Sequence, residues 1–216
     1  MSMTSYQTLR SLFPMPESTQ ACELYARSLE AHLSNEDSLA RHLLCELLAI
    51  APDWDSAHAL LGVVELKAGN PAQSIEHFDR ALELHGSDFI SQCNKGNALL
   101  ALGQYEAAAG CYLQAIEIKP DLPEALNSLA CIRHLQGDDL SAIQLFERAL
   151  SFRPDSPEAL AGLGLSLSNV HSFSKAEQVL REAVALNPAY AQAYVNLGHV
   201  LQGIDRTKEA EWMYRQ

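Results

Sequence analysis

Pro52, Pro120, Pro154 and Pro188 stand 68, 34 and 34 residues apart. Only 9 of the 216 residues are proline, so this phasing is not accidental. Gly86, another helix stopper, fills the place where the series skips a member. Small residues keep the same 34-residue step: Gly62, Gly96, Ala130, Gly164 and Gly198; then Ser74, Ala108, Ala142, Ala176 and Ala210; then Ala81, Ala115, Ala149 and Ala183. Bulky residues follow in phase as Phe78, Tyr112, Phe146, Leu180 and Tyr214. A chain built this way buries its 48 % hydrophobic residues along a stack of like units rather than in one central core.

Each unit reads as two helices. In residues 89–122, Ile90, Leu99, Leu100 and Leu102 belong to a first helix that ends near Gly103, where glycine suits a left-handed cap. A second helix is expected from about Tyr105 to Ile118, with Ala108, Tyr112, Ala115 and Ile116 at three- and four-residue spacing. Pro120 then ends it, because proline cannot continue a helix without losing a hydrogen bond and clashing. Alternating runs of Val, Ile and Thr, the mark of strands, are missing. Recurrent Gly or Ala lets two helices cross closely while Tyr, Phe or Leu fills the space beside the crossing. That reading also absorbs Gly162-Leu163-Gly164, which begins like a dinucleotide fingerprint but lacks a third Gly and a preceding strand.

These residues resemble the tetratricopeptide repeat, a 34-residue helical hairpin with Leu-Gly in its first helix. A turn Gly, then Ala, an aromatic, Ala and Pro complete its pattern. Leu61-Gly62, Gly69, Phe78 and Ala81 carry one copy, residues 55–88, and Gly96, Gly103, Tyr112, Ala115 and Pro120 carry residues 89–122. Leu129, Gly137, Ala142, Phe146 and Pro154 carry residues 123–156; Leu163-Gly164, Ala176, Ala183 and Pro188 carry 157–190; Leu197-Gly198, Ala210 and Tyr214 open a fifth copy, 191–216. Residues 21–54 read as a divergent unit with Arg27-Ser28 where Leu-Gly is expected, and residues 1–20 as an N-terminal extension. The resemblance implies an all-α fold, a right-handed α-solenoid of stacked helix-turn-helix hairpins. His171 and Asp205 replace the turn Gly, so those two turns are expected to differ locally. Gln216 falls at position 26 of its unit, and the array is expected to continue beyond it.

Composition narrows the chemistry. The formal charge of −12 argues against nucleic acid and anionic membrane as partners, since both attract basic surfaces. The start of the chain lacks a signal-peptide pattern and no stretch approaches a membrane span, which makes the cytoplasm the expected compartment. Cys22, Cys45, Cys93, Cys111 and Cys131 are odd in number and contain no Cys-x-x-Cys pair, so neither a disulfide framework nor a zinc ribbon is expected. The eight His form no His-Glu-x-x-His, and no nucleophile elbow or phosphate loop occurs. We expect no catalytic residues, no metal and no cofactor. Asp138-Asp139 and Glu36-Asp37 sit at helix starts, where the helix dipole favours acids.

What remains is the surface of the first helices, which lines the concave groove in the resembled family at unit positions 2, 5, 6, 9, 12 and 13. Carried onto this chain, these positions give a candidate peptide-binding groove of Asn94, Asn97, Asn127, Cys131, His134, Asn196 and His199. Further amides recur at Asn169, Gln192 and Gln202, and a carboxamide both donates to and accepts from a peptide backbone. Asn94 and Asn196 stand where O-GlcNAc transferase repeats carry their asparagine ladder, which Ser128 and Gly162 interrupt here. The wall is poor in Lys and Arg, which disfavours the clamp that relatives use for a C-terminal carboxylate. Val63, Leu66, Ile90 and Leu100 form an expected apolar groove patch, open either to a partner or to the chain's own Leu9, Leu12, Phe13 and Met15. The leading expectation is a protein–protein interaction scaffold for a peptide or protein segment. The alternative is the substrate-recognition region of a larger glycosyltransferase- or sulfotransferase-like enzyme. Self-association through the last, unfinished hairpin is a third possibility.

Overall fold

The computed structural model describes residues 19–216, and among these residues it contains twelve α-helices and no strand. In chain order they are α1 (Thr19–Leu33), α2 (Asp37–Ile50), α3 (Asp55–Lys67), α4 (Pro71–Leu84), α5 (Phe89–Ala101) and α6 (Tyr105–Ile118). The series continues with α7 (Pro123–Leu135), α8 (Asp139–Phe152), α9 (Pro157–Asn169), α10 (Phe173–Leu186), α11 (Ala191–Gly203) and α12 (Thr207–Met213). This is an all-α fold of helix-turn-helix hairpins. Leu9, Leu12, Phe13 and Met15, considered above as a cover for the apolar patch, lie outside the described residues.

Six turns, one inside each hairpin, share one geometry. A residue in the left-handed region follows the first helix at Asn35, Gly69, Gly103, Gly137, His171 and Asp205, with φ of 60, 83, 71, 79, 60 and 61°. The next N–H then reaches back five residues: Glu36 to Ala31, Asn70 to Glu65, Gln104 to Leu99, Asp138 to Arg133, Ser172 to Leu167 and Arg206 to Leu201, all at 2.8–2.9 Å. This is the Schellman closure, which satisfies helix-terminal carbonyls that have no partner within the helix. The expected local difference at His171 and Asp205 is therefore absent. The closure bonds are backbone bonds, and they hold the left-handed conformation even where a side chain makes it costly.

The described residues divide into two compact units, residues 19–111 and 112–216, and α6 runs through the division. In the first unit, Leu44, Leu47, Trp54, Leu61 and Val64 form a core on α1, α2 and α3, with the Tyr25 and Trp54 rings stacked at 5.0 Å. A Cβ on Gly62 would lie 2.7 Å from the Phe78 ring, so the fully buried Phe78 occupies space that only glycine leaves open. Ser74 takes the place that Ala holds in later units, and its buried hydroxyl donates to Gly62 O at 2.8 Å. Glu65, 6 % exposed, accepts from Arg41 Nη2 and from Asn70 Nδ2, each at 2.8 Å. In the second unit, Phe146, Leu180, Leu197, Val200 and Leu201 form the core. Gly162 lies against Phe146, Gly164 against Leu180 and Gly198 against Tyr214, each too close to admit a Cβ.

Candidate functional site

On the first-helix side of the first unit, α1, α3 and α5 enclose a cleft of about 420 Å³. Its apolar lining comes from Tyr25, Leu60, Val63, Phe89 and Ile90, and its polar lining includes Asp55, His85, Asp88 and Asn94. The helical register explains this grouping: Leu60 and Val63 are three residues apart on α3, and Ile90 and Asn94 four apart on α5. Ile90 is 56 % exposed at the cleft although it is aliphatic. Asp88 caps α5, its Oδ1 accepting from the Ile90 N–H at 3.0 Å and its Oδ2 from the Ser91 hydroxyl. Asp55 Oδ1 accepts from the Ser56 N–H at 2.7 Å, and its Oδ2 faces His85 Nδ1 at 3.3 Å. Burial, and after it the charge of Asp55, pushes the Tyr25 phenol above its ordinary pKa.

Of the expected apolar patch, Val63 and Ile90 line this cleft, whereas Leu66 and Leu100 are half-buried outside it. Of the expected groove residues in this unit, Asn94 lines it and Asn97 stands exposed on α5 away from it.

The second unit has a smaller, polar cleft of about 280 Å³, lined by Glu124, Asn127, Ser128, Arg153 and Glu158 among others. Arg153 pairs with Glu124. Burial raises the Glu124 carboxyl, but its own backbone N–H and the Arg153 guanidinium outweigh that and hold it below the usual carboxylate range. Asn127 turns a buried Oδ1 inward, where no donor meets it among the described residues. Cys131 is exposed.

The other expected residues of this unit are engaged within it. His134 Nδ1 lies 2.6 Å from Asp139 Oδ1 and 3.2 Å from Ser166 Oγ, while Asn169 Nδ2 donates to Asp139 Oδ2 at 3.0 Å. Asn196 is 3 % exposed; its Nδ2 donates to Ala161 O at 3.2 Å and its Oδ1 accepts from Gln192 Nε2 at 2.8 Å. The His199 ring meets Tyr214 edge-on, with centroids 5.7 Å apart.

One arrangement escaped the sequence reading. His32 Nδ1 lies 2.8 Å from Asp37 Oδ1, and Lys67 Nζ lies 2.7 Å from Asp37 Oδ2. This repeats the His134–Asp139–Asn169 set three units earlier. The signal was present as His at unit position 12 followed five residues on by Asp. Among the described residues no group of three or more His, Cys, Asp or Glu side chains converges as a metal site, and no helix is long and apolar enough to cross a membrane.

Paired helices repeating every 34 residues, with a cleft on the first-helix side, define a helical-repeat scaffold. Two family models place it further: one described as TPR repeat matches residues 96–137, and one described as tetratricopeptide repeat matches residues 123–156. Residues 96–156 thus match tetratricopeptide-repeat models.

In fold the chain is similar to PilF of Pseudomonas aeruginosa, with a TM-score of 0.78 and 18 % identity over 90 % of this chain and 88 % of that one. It is also similar to a tetratricopeptide repeat protein of Parabacteroides merdae, with a TM-score of 0.78 and 16 % identity over 91 % and 78 %. YrrB, a TPR protein with an unusual peptide-binding site, superposes with a TM-score of 0.69 and 16 % identity over 79 % and 88 %.

In sequence the chain is similar to protein O-mannosyl-transferase TMTC1. The mouse protein is 27 % identical over 113 residues, 50 % of this chain and 12 % of that protein. The human protein is 24 % identical over 147 residues, 66 % of this chain and 16 % of that protein. The chain thus spans less than a fifth of the length of these relatives. The repeat fold supports a role in protein interaction.

Proposed function

We propose that this chain is a non-catalytic interaction scaffold whose repeat array, residues 21–216, holds a peptide or protein segment on the face of its first helices. The observation that carries this reading is the cleft of about 420 Å³ in the first unit, where Val63, Ile90 and Asn94 line one opening. An aliphatic side chain as exposed as Ile90 gains by burial, and Asn94 offers a donor and an acceptor beside it. YrrB supports the reading as a repeat protein of similar fold with a peptide-binding site. The five cysteines are free thiols, which accords with a reducing compartment such as the cytoplasm. The likeness to O-mannosyl-transferases covers too little of those proteins to favour the enzyme-arm alternative.

Selection of a random dodecapeptide library displayed on phage, against the full chain, tests the proposal. Peptides should be recovered that bind the chain and lose about tenfold or more in affinity to Val63→Asp/Ile90→Asp, equal to roughly 1.4 kcal/mol. Recovery of no binder, or binders indifferent to the double substitution, refutes it.

A further inference from the structure

The cleft of the first unit has an electrostatic sign as well as a shape. Its lining contains two carboxylates, Asp55 and Asp88, and no Lys or Arg. Five other carboxylates of the unit have a Lys or Arg partner: Arg41 holds Glu65, Lys67 holds Asp37, Arg80 holds Asp53 and Glu83, and Lys95 holds Asp79. Among the described residues, Asp55 meets only His85 and backbone or hydroxyl donors, and Asp88 only the Ile90 N–H and the Ser91 hydroxyl. Each carboxylate oxygen accepts more than one hydrogen bond, so both groups retain acceptor capacity. They flank an apolar surface of Tyr25, Leu60, Val63 and Ile90. A low-dielectric wall beside a charge strengthens its attraction for a counter-charge, and the overall charge of −12 draws cations toward the chain at long range.

We infer that the segment bound in this cleft places an aliphatic side chain against Val63 and Ile90 and an adjacent Arg or Lys between Asp55 and Asp88. The inference rests on the interaction-scaffold reading and adds the chemistry of the partner. An aliphatic–basic pair satisfies both features at once. An acidic neighbour would face two carboxylates without a cation to offset them, and a neutral one would leave both as they are. The occupant is thus a basic, apolar-anchored protein segment, opposite in charge to the carboxylate tails taken by cation-lined grooves.

Four pools of nonapeptides, differing only in a central Leu-Arg, Leu-Gln, Leu-Glu or Ser-Arg pair within randomised Ala, Gly, Ser and Thr, provide the probes. They are titrated into the isotope-labelled full chain, and the backbone amide shifts of residues 88–94 are followed. The Leu-Arg pool should bind about tenfold more tightly than Leu-Glu and several-fold more tightly than Leu-Gln. The Ser-Arg pool should leave the cleft amides unmoved. Asp55→Asn/Asp88→Asn should remove the preference for Arg, because Asn keeps the capping acceptor of α5 while losing the charge. An unchanged melting temperature in that variant separates loss of charge from loss of fold. Equal binding of Leu-Arg, Leu-Gln and Leu-Glu overturns the inference and leaves the groove reading intact, as does failure of every pool when the dodecapeptide selection has produced a cleft binder. Failure of that selection refutes the scaffold reading itself.

Discussion

His58 and His77 show how much a single contact fixes. His58 Nε2 lies 2.9 Å from Pro52 O, which can only accept, so that nitrogen carries the hydrogen. His58 Nδ1 is then the acceptor in its 3.3 Å contact with His77 Nδ1, which donates. Burial first, and then the His58 charge, lowers the pKa of His77, while Glu65 and Glu76 pull it the other way. The unfolded chain therefore binds a proton at His77 that the folded chain resists. The associated stability is fully present above the ordinary His value of about 6.5 and declines as pH falls through it toward the lower folded value. The urea midpoint should fall between pH 7.5 and pH 5.5, and His77→Asn should flatten that slope. The turn residues make a separate case. Asp205 holds φ of 61° with a side chain, where glycine would have no Cβ to strain. Asp205→Gly should raise stability by roughly 0.5–1 kcal/mol, read from denaturant midpoints.

At the level of the helix, glycine has two opposite meanings in this chain. Gly62 on α3 has the Phe78 ring 2.7 Å from the place a Cβ would take, and Phe78 is fully buried. Gly110 on α6 has nothing within 4 Å of that place. Gly110→Ala should therefore gain about 0.8–1 kcal/mol from helix propensity alone. Gly62→Ala should lose net stability despite the same gain, because overpacking costs about 1–3 kcal/mol. Opposite shifts in thermal midpoint would confirm the contrast, and equal shifts would remove it. The helices themselves were legible in the sequence, since a 34-residue phase of Gly, Ala and Pro marks both packing and ends. The α6 limits, Tyr105 and Ile118, are the ones the pattern gives. The side-chain partners were much less legible. Asn94 and Asn196 hold the same position in the repeat, yet Asn94 lines a cleft beside Leu60 whereas Asn196 reaches Ala161 O, next to Gly162. A period gives the direction of a residue but not what the neighbouring helix offers it. The His134–Asp139 bond was hidden for a similar reason: Asp139 was read against its own helix dipole, while the structure sets it against the preceding helix.

Across the whole chain, each unit closes a core of its own, α1 to α3 in one and principally α8 to α12 in the other. Leu44 is fully buried in the first core, so Leu44→Ala should cost about 2–5 kcal/mol there. Amide exchange should then speed up through α1, α2 and α3 while α9, α10 and α11 keep their protection, as expected when stability is a sum of local terms. Uniform loss across all twelve helices would contradict that. The six Schellman turns carry a last consequence. Residue 137 precedes one closure bond and residue 171 precedes the next, and both are left-handed with the following N–H bonded back at 2.9 Å. Removing residues 138–171 would bring Gly137 directly before Ser172 with matching backbone on both sides of the cut. The molecule thus contains ready-made splice points, at which a hairpin's worth of chain can be lost or copied without inventing a new joint.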